Sequence, residues 1–339
     1  MGIQLPTIKQ IAKQLNVSAS AVSRALADHP RIGLGTKERV KKLAEELGYE
    51  PNAQAIFFKQ KKTHIIGVVL PFIREEFFSQ AISGIETVAL DHNYTILFGQ
   101  SYDEVEKEKN VVETMKKQRV DGLIISLSKN TNNYEHLEAF NKYKIPVVYF
   151  DRVPELTDTN KVQTDLFKGT VDIVNWLSTN GCRRIALING PEKMAASADR
   201  LKGYMQGILK QKRKIDMQLV EATDFSKERT YAAMNSLLAL KNPPDAVISF
   251  NDYVHMDAVQ YAKQKKIKIN KDILFASYAN LPITDYTSHP PRVSLEQYPF
   301  MQGEKAMQMM IEILNQNKTD NDSKINSKNE IIPTTVVTR

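Results

Sequence analysis

Apolar residues recur at helical spacing in three short segments at the start of the chain. In the first segment they lie at positions i, i+3, i+4 and i+7, with lysines and glutamines between them. These residues are Ile8, Ile11, Ala12 and Leu15. Asn16 tolerates the left-handed backbone of a tight turn, Ser18 can cap a second helix, and a third apolar face runs through 36–47. The pattern predicts three helices that open with a helix-turn-helix, although a plain pair of amphipathic helices has the same spacing.

From residue 63 the pattern changes to short apolar runs that alternate with helical stretches. The first series predicts strands at 65–71, 94–99, 122–127 and 146–151, and the second predicts strands at 161–165, 183–191, 218–222, 245–250 and 272–278. Helices are expected at 77–92, 103–119, 133–143, 166–180, 198–212, 227–240 and 252–265. Buried strands that alternate with helices form parallel sheets covered on both faces. We therefore predict an α/β core of two doubly wound lobes, with a cleft at the carboxyl ends of their strands.

The last fifty residues are expected to complete both lobes. The segment 292–297 should cross back to lobe 1, where 300–317 forms an amphipathic helix, and 330–337 should form one last strand. The chain then divides into a helix-turn-helix head at 1–50, a hinge helix or linker at 51–62, and a core at 63–339 that binds an effector and dimerises. Within the core, lobe 1 comprises about 63–162 and 296–325, and lobe 2 comprises about 163–292 and 330–339.

The positive charge lies almost entirely in the first 62 residues. They hold 11 Lys and Arg against five Asp and Glu, a net charge of +6 out of +7 for all 339 residues. A basic head on a nearly neutral body is typical of a unit that binds the phosphate backbone of DNA. The sequence shows no apolar run long enough to span a membrane, no apolar core of a signal peptide, and only one cysteine, Cys182. We therefore expect a cytoplasmic, nucleoid-associated protein with no membrane partner and no disulfide.

Residues 52–62 combine adjacent aromatic residues with lysines, which is unusual for a linker. Phe57 and Phe58 could dock on the domain that follows. Alternatively, the segment folds on DNA, with one aromatic ring wedged between base steps of the minor groove and the lysines on phosphates. The sequence leaves both interpretations open.

Several motifs, in their order and spacing, resemble those of the lactose/galactose repressor (LacI/GalR) family of bacterial transcription regulators. They are TIKQIAKQLNVSASAVSRAL, TKERVKKLAEELGYEPN, IIGVVLP, VDGLII, FDRV, RRIALINGP, the stretch 200–204 and the pair Asn251-Asp252. The resemblance implies a three-helix head, a hinge helix, and a two-lobed core like a periplasmic binding protein that holds a small effector. It also implies at least a dimer, because two heads are needed for a pseudopalindromic operator in double-stranded DNA. No leucine heptads follow the last predicted strand, so we expect a homodimer.

The family's DNA contacts carry over onto the second helix and the hinge segment. Ala19, Ser20 and Arg24 occupy base-reading positions. Phe58 occupies the position of the usual intercalating leucine, and Ile56 stands where many members carry an arginine. The residues expected at the DNA are Thr7, Ser18, Ala19, Ser20, Ser23, Arg24, Asn52, Ala55, Phe58 and Lys59.

The effector contacts that the resemblance implies lie on both walls of the cleft. They are the aromatic residues Phe77, Phe78 and Phe225 and the polar residues Asp151, Arg200, Asp252 and Gln297. Alternatively, the aromatic residues belong to plain core packing, Arg200 to a structural ion pair, and Asp252 to a helix cap. The usual Asn-Pro before the aromatic pair is Glu75-Glu76 here, and Met194 and Ala279 replace common polar residues. Aromatic residues with few polar groups suggest a sugar or sugar derivative bound through few charged contacts.

These observations predict a DNA-binding transcription regulator, a repressor, whose effector shifts the population of lobe and head arrangements. Some relatives use a corepressor instead, and the sequence does not decide between the two. An enzyme is the first alternative, but the chain lacks a phosphate-binding loop, a nucleophile elbow and an HExxH pair, and its six histidines are scattered. A transport-type binding protein fits the cleft but not the basic head. We expect no catalytic residue, no cofactor and no metal.

Overall fold

The computed structural model describes residues 6–50, 62–316 and 327–339. The chain forms two compact units, Met1–Thr63 and His64–Arg339. The predicted hinge helix falls on residues 51–61, which lie outside the described part, and so do the expected DNA contacts Asn52, Ala55, Phe58 and Lys59. In the described ranges, the helices are all too short or too polar to cross a membrane.

Three helices form the head: α1 (Ile8–Leu15), α2 (Ala19–Leu26) and α3 (Leu34–Glu46). Their apolar faces close on a small core in which Ile11, Val22 and Val40 are fully buried. The third helix begins two residues earlier than the pattern predicts. Gly33 takes the extended conformation of an N-cap there without contributing a side chain, so the helix does not need a polar residue to start.

The boundaries of α1 and α2 are set by the residues that the sequence indicates. Asn16 ends α1 in the left-handed conformation, with φ 52° and ψ 45°. The hydroxyl of Ser18 accepts a hydrogen bond from the N–H of Ala21 at 3.1 Å and so caps α2. At the start of α1, Thr7 Oγ1 accepts from the N–H of Gln10 at 3.4 Å, and Gln10 Oε1 accepts from the N–H of Thr7 at 2.7 Å. The helix-turn-helix is thus specified locally.

Lobe 1 is a six-stranded parallel sheet with helices on its faces. Its strands are β1 (Ile65–Leu70), β2 (Thr95–Gln100), β3 (Gly122–Ile125), β4 (Val147–Phe150), β5 (Asn160–Thr164) and β11 (Asn329–Ile332). They lie in the order β11-β5-β4-β3-β1-β2. Its helices are α4 (Glu76–Asp91), α5 (Val105–Lys117), α6 (Glu135–Lys142) and α11 (Pro299–Gln316). The central strands β1, β3 and β4 read as continuous apolar runs because both faces of the sheet are covered there.

Lobe 2 has the same layered architecture. Its strands are β6 (Ile185–Asn189), β7 (Val220–Ala222), β8 (Ala246–Ser249), β9 (Leu274–Ala279), β10 (Val293–Glu296) and β12 (Thr335–Thr338), in the order β12-β10-β9-β8-β6-β7. Its helices are α7 (Leu166–Thr179), α8 (Ala195–Lys210), α9 (Lys227–Leu238) and α10 (Asp252–Gln264), with short 3₁₀ turns at Met217–Leu219 and Pro282–Tyr286. The sheet is parallel except for β12, which pairs antiparallel with β10.

The structure corrects three strand assignments. The run at 161–165, expected to open lobe 2, forms β5 of the lobe 1 sheet. The single last strand expected at 330–337 is two strands, β11 in lobe 1 and β12 in lobe 2. The segment 292–297 is mostly β10 of lobe 2, and the crossing follows it. Strand pairing is non-local, and so an apolar run by itself does not reveal which sheet it joins.

Three chain segments join the lobes, and they are hydrogen-bonded to one another. The N–H of Asp165 donates to the carbonyl of Ile332 at 3.1 Å, and Thr334 Oγ1 donates to the carbonyl of Asp165 at 3.3 Å. Tyr298 Oη donates to Thr335 Oγ1 at 2.7 Å. These bonds tie all three segments together beside the cleft, which is the place where a two-lobed protein bends.

Candidate DNA-binding face and effector cleft

The outer face of α2 carries most of the expected base-reading side chains. Ser20, Ser23 and Arg24 are exposed, whereas Ala19 is half-buried and packs against the head core, so it does not point fully outward as expected. Thr7 and Ser18 are exposed at the starts of the helices, where their hydroxyls cap backbone N–H groups. Helix N-termini of this kind present N–H groups and hydroxyls to phosphates.

Arg24 is the cation on this face that has no acidic partner among the described residues. Of the other head cations, Lys41 pairs with Asp28 at 2.7 Å and Lys37 lies 3.8 Å from the same carboxylate. An exposed, unpaired arginine on the second helix is free to reach a base edge or a phosphate in a major groove.

The core contains a cleft lined by both lobes. Its lining residues are Glu75, Phe77, Phe78, Asp151, Arg152, Met194, Ala196, Arg200, Phe250, Asn251, Tyr253, Ala279, Leu281 and Gln297. The space amounts to about 470 Å³, including the part open to solvent. Five of the seven expected effector residues line it, and the other two, Phe225 and Asp252, do not.

Aromatic rings form the sides of the cleft. Phe77 and Phe78 begin α4 and pack edge to face, with ring centroids 5.4 Å apart. From lobe 2, Phe225 packs on Phe250 at 4.7 Å. The Arg152 guanidinium lies 5.7 Å from the centroids of both Phe78 and Phe225 and so bridges the two lobes. Phe77 and Phe78 belong to the lobe 1 core and also face the cleft, so core packing and ligand contact are compatible.

Arg200 is a buried cation without an ion pair. Only 3% of it is exposed, and its Nε and Nη1 atoms have no hydrogen-bond partner in the part of the chain that the structure describes. Its guanidinium lies 3.9 Å from the ring centroid of Phe250 and 4.4 Å from that of Tyr278. Burial lowers the pKa of Arg200 to about 10, so it remains charged at neutral pH. The structure thus contradicts the ion-pair alternative, and unmet donors of this kind at a cleft wall favour a ligand.

Asp151 and Gln297 lie at the ends of strands that meet at the cleft. Asp151 follows β4 in the left-handed conformation, with φ 56°, and burial raises the pKa of its carboxyl. Gln297 follows β10, and its side chain donates to Thr164 Oγ1 at 3.4 Å. Gln297 therefore also connects two of the segments that join the lobes.

Asp252 supports the cleft from behind and does not line it. It is fully buried in lobe 2, where its carboxylate accepts hydrogen bonds from the hydroxyl of Ser277 and, at 2.7 Å, from the N–H of Leu281. The helix-cap alternative is also wrong, because Asn251 caps α10 by accepting from the N–H of Val254 at 2.9 Å. Both acceptors of Asp252 are used within the lobe, so it fixes the loop that carries the lining residue Leu281.

We expect the stability of the chain, relative to an Asp252→Asn variant, to fall as the pH rises from about 4 to about 7. Burial raises the pKa of Asp252 from 3.8 to about 7. Between these values the unfolded chain loses the proton while the folded chain keeps it, so ionisation favours the unfolded state. Urea unfolding of both proteins at several pH values measures the difference, because asparagine does not titrate there. A difference that is independent of pH would contradict the assignment.

Sequence reasoning missed several residues that line the cleft or connect the two lobes. Arg152 and Tyr253 each follow a residue that was singled out, Asp151 and Asp252, and this adjacency was the available signal. Tyr253 Oη accepts from the N–H of Glu76 at 3.2 Å. These contacts depend on how the lobes face each other, which no local pattern shows.

Other polar contacts also cross between the lobes. Glu76 Oε2 accepts a hydrogen bond from the N–H of Ile283 at 3.1 Å. Lys129 Nζ donates to the carbonyl of Asp224 at 2.8 Å. Since each contact joins lobe 1 to lobe 2, a change in the angle between the lobes would break or rebuild them.

Two sequence profiles match the chain. The profile described as bacterial regulatory proteins, lacI family, matches residues 7–52, and the periplasmic binding protein domain matches residues 66–319. The HTH-type transcriptional repressor CytR of Escherichia coli (strain K12) is 30% identical over 306 residues, which cover 90% of this chain and 89% of that protein. The ribose operon repressor of Bacillus subtilis (strain 168) is 29% identical over 310 residues, 91% of this chain and 92% of that protein.

Solved structures share the fold over nearly the whole chain. The Lac repressor dimer bound to operator and the anti-inducer ONPF superposes with a TM-score of 0.83 at 21% identity, covering 99% of this chain and 98% of that one. The complex of the transcriptional regulator CelR with cellobiose gives a TM-score of 0.73 at 22% identity, covering 98% and 99%.

The named relatives are transcriptional regulators and not enzymes, in agreement with the sequence prediction. A regulator that acts on bacterial DNA works in the cytoplasm. One profile matches the head and the other matches the two-lobed core. A named relative is similar over nine-tenths of the chain, and these findings lead to one conclusion. The chain belongs to the lacI family of bacterial regulatory proteins, and it is a DNA-binding regulator of transcription.

Proposed function

We propose that the chain binds a pseudopalindromic operator in the nucleoid as a homodimer and releases it when a small ring-shaped effector occupies the cleft. The observation that carries the effector assignment is the buried guanidinium of Arg200 between aromatic rings, with two nitrogens that have no hydrogen-bond partner among the residues that the structure describes. A sugar ring has the matching chemistry, since its hydroxyl oxygens accept from Arg200 and its apolar face packs on phenylalanine. The CelR structure, described as a cellobiose complex, supports this class of ligand.

The dimer follows from the geometry of operators. One head presents a single recognition helix, and two heads related by symmetry match two half-sites. The Lac repressor, described as a dimer on its operator, supports the same arrangement for this chain. In our proposal, the Asp252-supported loop and the contacts between the lobes change when effector binds, and the change reaches the heads through residues 51–62. Effector and operator then each weaken the binding of the other.

Selection of DNA from a random pool, followed by gel shifts with and without sugars, tests this function. We expect one palindrome-like sequence to be enriched and its complex with the protein to dissociate when an effector binds. A thermal shift measured with the same sugars identifies which of them binds the core. If the protein enriches no sequence at any salt concentration, the proposed function fails.

Arg24→Ala should weaken binding to the selected operator by roughly 1–3 kcal/mol while leaving binding to random DNA almost unchanged. The reason is that Arg24 is exposed and unpaired on the outer face of α2, where it can contact a base edge. Lys9→Ala is the matched control, since Lys9 is exposed on α1. Gel shifts on both DNAs measure the ratio of affinities, and equal losses for Arg24→Ala would limit this residue to a phosphate contact.

A further inference from the structure

Glu75 occupies the N-cap position of α4 without capping the helix. Its backbone is extended, with φ −76° and ψ 128°, yet its carboxylate accepts no hydrogen bond from the first turn of α4. The side chain lines the cleft and is half-buried. The carboxylate therefore binds no N–H group of the first turn of α4, and from its place in the cleft lining it is available to another donor.

The cation with the strongest electrostatic effect on this carboxylate is already engaged. Arg152 Nη1 donates to Asp103 Oδ1 at 2.5 Å, and its guanidinium lies between two aromatic rings. Burial raises the pKa of Glu75 and that of Asp151, while the charge of Arg152 opposes both shifts. The charged groups that act on Glu75 are Arg152, Asp103, Arg74 and Asp151. Of the ionisable groups that line the cleft, Arg152 is paired with Asp103, and Arg200 is the other cation that acts on Asp151. Glu75 is left as a cleft carboxyl group with no ion pair among the described residues.

The opposite wall has the reverse chemistry. Arg200 presents Nε and Nη1 as buried donors without acceptors, and aromatic rings lie between the two walls. The cleft therefore offers carboxylate acceptors on the lobe 1 side and guanidinium donors on the lobe 2 side. A ligand that satisfies both must donate at one end and accept at the other.

We propose that the effector is a ring that carries an amino group, with the nitrogen hydrogen-bonded to Glu75 and oxygen substituents bonded to Arg200. The inference rests on the proposed function and names the ligand class of the same cleft. An amino group complements Glu75 better than a hydroxyl does, because a charge-assisted or doubly donating N–H group satisfies a carboxylate that has no ion pair in the described part of the chain.

Matched ligand pairs test the proposal on the full-length protein. The probes are glucosamine with glucose, galactosamine with galactose, cytidine with uridine, and adenosine with inosine, and each pair differs by an amino group against an oxygen. Isothermal titration measures affinities for the wild type, for Glu75→Gln and for Glu86→Gln, a control on the exposed face of the same helix. We expect the amino member of at least one pair to bind about tenfold more tightly.

Glu75→Gln should remove this preference, because the neutral amide makes no charge-assisted hydrogen bond and its NH2 group can donate to an oxygen substituent, and Glu86→Gln should keep it. The inference is overturned if no pair shows a preference, or if Glu75→Gln retains it. An oxygen-only probe that binds as tightly as its amino partner and releases operator would overturn the inference and leave the proposed function standing. If no probe binds the protein and none releases operator, the result contradicts both the inference and the proposed function.

Discussion

Arg200→Met should abolish the response to effector while operator binding stays intact. The guanidinium is buried at the cleft wall with two unpartnered nitrogens, so in the complex it would make charged hydrogen bonds that methionine cannot replace. Two such bonds correspond to roughly 3 kcal/mol or more, an affinity loss of about a hundredfold. The head is a separate compact unit whose core contains no residue of the cleft, so operator affinity without effector should not change.

The same substitution has a second expected effect, on stability. Arg200 is buried with no ion pair among the described residues, so only the contacts with the rings of Phe250 and Tyr278 offset its desolvation penalty. Methionine removes this penalty. The effector-free variant should therefore melt at the same temperature as the wild type or higher. Gel shifts with increasing effector and thermal melts measure the two effects, with Arg183→Met, at an exposed position in lobe 2, as the control. If the Arg200→Met variant releases operator at the same effector concentration as the wild type, the effector binds elsewhere.

Gly303→Ala should destabilise the core by about 3 kcal/mol or more. Helices α4 and α11 cross at close range through Gly84 and Gly303. A Cβ atom at Gly303 would lie 2.0 Å from the carbonyl oxygen of Ala81, and one at Gly84 would lie 2.1 Å from that of Phe300. Both obstacles are backbone atoms, so relief requires the helices to separate and expose part of the lobe 1 core.

Gly67→Ala is the matched control for this prediction. A Cβ atom at Gly67 would meet side-chain atoms of Met115 and Leu123 at 3.1 to 3.3 Å, and flexible side chains of this kind can shift. Urea unfolding followed by circular dichroism should show a large loss of the unfolding free energy for Gly303→Ala and a small change for Gly67→Ala. Similar losses in the two variants would mean that the helix crossing is not tight in solution.

Much of the secondary structure followed from local pattern. The turn at Asn16 and the cap at Ser18 were predictable because a left-handed residue and a helix N-cap each need a particular side chain at one position. The central strands of both lobes, such as β1, β4 and β8, were predictable because a strand covered on both faces is apolar throughout. The structure differed from the prediction where the apolar pattern does not indicate which strands pair, as for β5, β11 and β12.

The candidate site was predictable in part, for a related reason. Arg200, Phe77 and Gln297 came from the resemblance, and the structure places all three at the cleft. Asp252 came from the same source, but it lies behind the cleft wall, since Ser277 and Leu281 offer it two donors inside lobe 2. Whether a carboxylate faces a ligand or a neighbouring strand depends on packing between elements that are distant in sequence.

By itself the sequence determined the helix-turn-helix head, the basic charge of that head, the alternation of strands and helices in the core, and the family. Each of these depends on residues that are close together along the chain or on composition. Only the tertiary structure decided that Arg200 is buried with two nitrogens that have no hydrogen-bond partner in the described ranges, that Arg152 bridges rings of both lobes, and that Glu75 lines the cleft instead of capping its helix. These features arise where two lobes meet, and the physical reason is that burial and unmet hydrogen bonds are properties of assembled surfaces.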